Sequence, residues 1–116
     1  MIGNEFACQD RSGIPVSCSR VCWAKHVTVH AEMIGQQELI KVIIHSPQSE
    51  YQDVHNINAR SLYKTVVLPH IGNTLVKVSI EYPEKYDRKR GFVRTAYATD
   101  KVKGGEIWLW GHKFPN

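Results

Sequence analysis

His26 and His30 stand four residues apart, one helical turn, and Glu32 follows two residues later. Imidazole takes and gives protons near neutrality, so this pair suits general acid–base work, with Glu32 to orient a ring or act as the base itself. Arg60 offers a planar fork of donors that matches phosphate oxygens. Tyr63, Thr95 and Tyr97 are hydroxyls on strand-like segments that can donate to the same oxygens, and Lys101 and Lys103 add cations in the turn that follows. Each residue also has an ordinary structural reading. The histidines could be satisfied at a helix–sheet junction or lie on the surface, and Arg60 could be a loop ion pair. Thr95 and Tyr97 are good strand formers, and the lysines suit a solvated turn.

Cys18, Cys22, His26 and His30 fall at successive four-residue steps, which reads as one helical stripe. Adjacent pairs could chelate, but the stripe would span about 18 Å at the helical rise, too far for one ion. No metal site is expected. Cys22 as a nucleophile has His26 nearby and no third group. Arg88, Lys89, Arg90 and Arg94, with Lys85 and Tyr86 beside them, form the densest basic patch, diluted by Glu81, Glu84 and Asp87. That patch suits a nucleic-acid backbone or a charged loop that keeps the sheet in solution. Trp108 and Trp110 alternate on the last strand and are expected on one face, as core or strand-edge contact.

A chain of 116 residues suits a single domain that buries enough surface to need no staple. Its 42% hydrophobic and 22% charged content is ordinary for globular chains and argues against wholesale disorder. A net charge of +4 permits an anionic partner such as RNA without demanding one. No apolar run is long enough to span a bilayer, so no membrane partner is expected. The first residues lack the apolar core of a signal peptide, which makes the cytoplasm the expected location. Three cysteines, an odd number, then read as reduced thiols.

The elements that must position these groups follow from patterning. Residues 1–20 read as an irregular lead-in, with turn signals at Gly3-Asn4 and Ser12-Gly13, and residues 21–116 as the domain. A first helix is expected over Cys18 to Met33, although Val27-Thr28-Val29 is β-branched. A second over Gln36 to His45 has a clear apolar side and is stopped by Ser46-Pro47. A short strand at Glu50–Asp53 and strands at Ser61–Leu68, Thr74–Tyr82, Phe92–Thr99 and Glu106–Trp110 follow. Helices before consecutive strands predict an α+β single domain, with N-terminal helices packed on one face of a four-stranded antiparallel sheet. On the Phe92 strand, Phe92, Arg94, Ala96 and Ala98 would face the helices. Val93, Thr95, Tyr97 and Thr99 would face the open side with Lys77, Ser79 and Glu81, unless a bulge reverses the face.

In order along residues 22 to 108, the chain resembles the phage-associated members of the barnase–EndoU–colicin–RelE nuclease superfamily. Trp23-Ala24-Lys25-His26-Val27 and His30-Ala31-Glu32-Met33 match a Trp-x-x-His followed by His-Pro-Glu. Ile43-Ile44-His45-Ser46-Pro47 with Tyr51 is similar to that group's helix end and downstream tyrosine. Asn58-Ala59-Arg60 with Tyr63-Lys64 resembles an Asn-x-Arg and Tyr-Tyr-Lys strand, and Val93-Arg94-Thr95-Ala96-Tyr97-Ala98-Thr99 a Val-x-Thr-Ala-Tyr-x-Thr strand. Ala31 stands where proline is usual and Leu62 where tyrosine is common.

The resemblance implies a helix-plus-sheet fold and an endoribonuclease that needs no metal or cofactor. It further implies a toxin-like protein carried on a mobile element, with a cognate antitoxin or immunity protein as partner. In that chemistry a base takes the 2′-hydroxyl proton, an acid protonates the leaving oxygen, and cations hold the phosphorane charge. His30, His26, Glu32, Arg60 and Thr95 are the expected catalytic set, and Tyr63, Tyr97, Lys101 and Lys103 the substrate-binding set. The alternatives are a non-catalytic module of the same fold that binds protein or nucleic acid, or a small-molecule pocket. The apolar C-terminal strand would also permit a homodimer through its edge.

Overall fold

Asp10 closes the first residues into a hairpin. Its carboxylate accepts the backbone N–H groups of Ser12 and Ile14, each at 2.9 Å, and Gly13 takes the left-handed conformation at φ +83°. Strands β1 (Asn4–Gln9) and β2 (Pro15–Ser19) pair antiparallel on either side of this turn. The expected irregular lead-in is therefore an ordered hairpin within a computed structural model that describes residues 3–84 and 87–115. Its strands are too short for their alternation to stand out. Phe6 on one and Val16 and Cys18 on the other are buried in the main core.

The expected helix over 18–33 is broken into three short pieces, and Cys18 belongs to β2. Ser19 caps α1 (Arg20–Cys22) by accepting the Cys22 N–H at 3.0 Å. A π-helical turn (Trp23–Val27) continues it, and a 3₁₀ turn (Ala31–Met33) follows a bend. The break falls at the β-branched triplet. Thr28 Oγ1 bonds back to the carbonyls of Trp23 and Ala24, offering the backbone an alternative to the α ladder. Helix α2 (Gln37–His45) matches its pattern, with Ile40, Ile43 and Ile44 fully buried on one face.

The remaining strands are β3 (Ser49–Gln52), β4 (Ala59–Leu68), β5 (Gly72–Glu81), β6 (Gly91–Thr99) and β7 (Ile107–Gly111). Among the described residues the sheet has seven strands in the order β1-β2-β6-β5-β4-β3-β7. It is mixed, since β2 lies parallel to β6 through Val16 opposite Gly91 and Ser17 opposite Phe92. The expected four-stranded antiparallel sheet is thus corrected on both counts. The hairpin adds two strands, the short β3 adds another, and a crossover of some seventy residues makes the parallel contact of β2 with β6. The N-terminal helices do pack on one face of the sheet, as expected. There Trp23, Val27, Met33 and the α2 isoleucines meet Leu62, Val76, Val78, Ile80, Val93 and Ala96.

A bulge divides β6. Ser79 opposes Thr95 while Ile80 opposes Val93, leaving Arg94 as the extra residue. Ala96 keeps the helix-facing side, and Thr95 and Tyr97 the other. Val93 turns into the core and Phe92 is exposed, the reverse of their expected faces. A second bulge splits the tryptophans of β7. Trp110 opposes Glu50 and Trp108 opposes Tyr51, so the two lie on opposite faces of the sheet. All five β7 residues are exposed, and the Arg11 guanidinium lies 3.8 Å from the Trp110 ring centroid. Among the described residues no helix is long and apolar enough to cross a membrane.

Candidate functional site

β2 covers β6 only as far as Phe92, and the helical run takes over the strand's edge from there. The Cys22 thiol donates to Val93 O at 3.0 Å, Thr95 Oγ1 donates to His26 O at 2.8 Å, and the Ala98 N–H donates to Glu32 Oε2 at 2.9 Å. These contacts hold the π-helical turn along the rim of the sheet face that the helices leave uncovered. Its inner residues, Trp23 and Val27, are buried. Its outer ones look across the strand.

The result is a cleft of about 630 Å³ with β5 and β6 as its floor and the helical run as one wall. His26, His30, Thr95, Tyr97 and Lys103, all expected at the site, line it together. Lys25, Lys77, Ser79, Arg94 and Asp53 line it too. The His30 ring lies against Tyr97, with centroids 5.1 Å apart and planes inclined by 36°. Four Lys or Arg side chains and two histidines face one carboxylate, so the cleft is electropositive and suits an anion. A smaller cleft of about 320 Å³ adjoins it and shares Lys77, Tyr97 and Lys103; Tyr63 and Lys101 lie there.

Beneath both clefts is a buried polar cluster. Glu106, with a fully buried side chain, accepts hydrogen bonds from Ser61 Oγ at 2.5 Å, from Lys77 Nζ at 2.8 Å and from the Tyr63 hydroxyl. Burial, and then the bond to Glu106, push the Tyr63 phenol well above its usual range, so it stays protonated and donates. Tyr63 is therefore a support for the floor rather than a ligand-facing hydroxyl. The Lys103 N–H donates to its oxygen at 3.2 Å, which ties the turn after β6 to the same cluster.

Two of the expected catalytic residues lie elsewhere. Arg60 opposes Ile80 in register and so points to the other face of the sheet, where its Nε lies 3.6 Å from Glu50. A strand places successive side chains on opposite faces, and Arg60 is one residue out of phase with Ser61 and Tyr63. Glu32 is engaged by the β6 edge and lines a separate groove with Ile34 and Ile71. Thr95 is in the cleft, but its proton is committed to the His26 carbonyl, which makes it a positioning residue for the histidine turn.

Sequence reasoning left Lys77, Ser79, Lys25 and Arg94 out of the site, and Glu106 out of its foundation. The alternation of β5 had already put Lys77 and Ser79 on the face of Thr95 and Tyr97, and register pairs them directly. The basic patch is largely self-neutralised: Arg90 meets Glu84 at 3.2 Å, Lys89 meets Asp87 at 3.7 Å, and Arg88 stacks over Tyr82. Lys85 and Tyr86 lie outside the described residues. Among the described residues no three His, Cys, Asp or Glu side chains converge to hold a metal. Cys18 is in the core on β2 and Cys22 is on the cleft wall, so the cysteine–histidine stripe is not one helix. No family model matches the chain, and neither curated proteins nor solved structures include a match to it.

Proposed function

We propose that the protein is an endoribonuclease that cleaves in the cleft between the histidine turn and β6. The observation that carries this reading is the convergence of His26 and His30 with Lys25, Lys77, Arg94 and Lys103 around one open floor. Cleavage beside a 2′-hydroxyl requires a group to take that proton, a group to protonate the departing 5′-oxygen, and positive charge around the five-coordinate phosphorus. Two imidazoles supply the proton chemistry in this proposal, and the lysines and Arg94 supply the charge. The attacking 2′-oxygen bonds to phosphorus as the bond to the 5′-oxygen breaks, leaving a 2′,3′-cyclic phosphate and a free 5′-hydroxyl. Thr95 fixes the backbone that carries His26, and Tyr97 packs beside His30.

The test is cleavage of a defined single-stranded RNA, with product ends identified by mass spectrometry. His30→Ala and His26→Ala are each expected to slow cleavage by about 100-fold or more while the circular dichroism spectrum is unchanged. The same sequence as DNA should stay intact. If His30→Ala cuts as fast as the parent, or if the parent leaves RNA uncut, the reading fails.

A further inference from the structure

The chemistry proposed above leaves one buried group on the cleft floor unused. Ser79 is only 3% exposed, yet its hydroxyl has no hydrogen-bond partner among the described residues. Folding leaves such a group unmet only at a cost, so an unmet one in a cleft points to a ligand. Its neighbours on this face are already engaged. Ser61 and Tyr63 donate to Glu106, and Thr95 donates to the His26 carbonyl. Ser79 has a donor to spare.

Two residues along the same strand face lies Lys77, 4% exposed. Its ammonium gives one hydrogen bond to Glu106, and an ammonium carries three donors. The Glu106 contact also fixes the side chain, so little rotamer freedom remains for a ligand to remove. Lys77 lines both the larger cleft and the smaller one. A group bound at its Nζ therefore has room on either side.

We propose that Ser79 Oγ and Lys77 Nζ form the seat for a phosphodiester oxygen, with the two clefts receiving the nucleotides on either side of it. A tetrahedral anion suits the pair, because one neutral donor and one fixed cation satisfy an oxygen that carries charge. The footprint is then at least a dinucleotide, with the linking phosphate at Lys77 and Tyr97 between its two halves. The choice of phosphodiester rests on the ribonuclease reading; the seat for an anion rests on Ser79 and Lys77 alone.

Binding of a fluorescein-labelled 2′-O-methyl RNA hexanucleotide, followed by anisotropy, separates the two claims, because the blocked 2′-oxygen cannot attack. Ser79→Ala should weaken binding about tenfold, the loss of a hydrogen bond to a charged group, without altering the salt dependence. The same variant should be as stable to urea as the parent or more so, since it deletes an unmet buried hydroxyl. A hydroxyl with a purely structural role would give the opposite pair of results. Lys77→Met should lower the slope of log affinity against log salt by about one, with its fold confirmed by circular dichroism. Lys41→Ala, on α2 and on the other side of the molecule, should bind as the parent does. Unchanged affinity in Ser79→Ala, or a comparable loss in Lys41→Ala, overturns the seat. A chain that needs Ser79 to bind but never cuts RNA overturns the ribonuclease reading and leaves the seat standing.

Discussion

Replacing Glu106 with leucine should damage the protein more than almost any other single change on this face of the sheet. The carboxylate is fully buried and accepts from Ser61, Tyr63 and Lys77. Its removal strands the Lys77 ammonium, whose side chain is 5% exposed, without its hydrogen-bonded counter-charge. Breaking a buried pair in this way costs about 3–5 kcal/mol. A domain of this size has about 5–15 kcal/mol of stability in all, so Glu106→Leu should lose about a fifth of it or more. Lys77→Met should cost a similar amount by stranding the carboxylate. The double variant removes both charges and leaves chiefly the two hydroxyls unmet, for about 2–4 kcal/mol. The two single costs should therefore together exceed the double cost by about 2 kcal/mol or more. Urea unfolding at neutral pH, followed by circular dichroism and extrapolated linearly, measures all three. Single costs below about 1 kcal/mol, or a double cost equal to their sum, would refute the view that this pair is buried and coupled.

Asp53 gives a pH signature. Burial raises its carboxyl, but the N–H groups of His55 and Asn56 together with Arg94 outweigh burial and hold it below the usual range. Its folded value is depressed, so its stabilising contribution is present above the unfolded value of about 3.9 and is lost as pH falls through the folded one. The stability gap between parent and Asp53→Asn should accordingly be constant near neutrality and close in that acidic window; a gap that widens on acidification contradicts the assignment. Among the cysteines, the neighbouring Cys18 thiol lowers the Cys22 thiol, Cys22 and burial raise Cys18, and burial raises Cys8. Iodoacetamide should therefore label Cys22 first, and the 2′-O-methyl hexanucleotide should slow that labelling, as peptide mapping would reveal. Gly111 has φ +87°, and a Cβ there would fall 2.2 Å from the Gln48 carbonyl oxygen. Gly111→Ala should free β7 from β3 and accelerate amide exchange in Ile107 to Trp110, leaving exchange in β5 unchanged.

Legibility in the sequence followed the strength of local pattern. α2 and β5 were readable because each repeats its apolar period over a whole element. The hairpin of residues 4–19 was not, because each strand shows only one or two buried positions and its order comes from Asp10, Gly13 and a partner some seventy residues away. His26, His30, Thr95 and Tyr97 do line one cleft, as their residue types suggested, although the helix expected to carry both histidines is broken between them. Arg60 was misplaced by a single step of strand phase, which residue type cannot reveal. Glu106 stayed hidden for a different reason. A lone acidic residue beside a strand looks like a solvated one until Ser61 and Tyr63 of β4 and Lys77 of β5 are brought around it.

The parallel contact of β2 with β6 also dictates when this protein can become itself during synthesis. Val16 must wait for Gly91, and the histidine turn has no rim to rest on until Val93 to Ala98 exist. The floor cluster needs Glu106, which follows β6 in the chain and meets Ser61 some forty-five residues back. A ribosome adds about 5–20 residues per second, so the N-terminal hairpin spends seconds exposed without its neighbour. Non-local closure of this kind also folds slowly. The floor of the cleft therefore cannot be completed until β4, β5 and Glu106 have all emerged, well after the hairpin of β1 and β2.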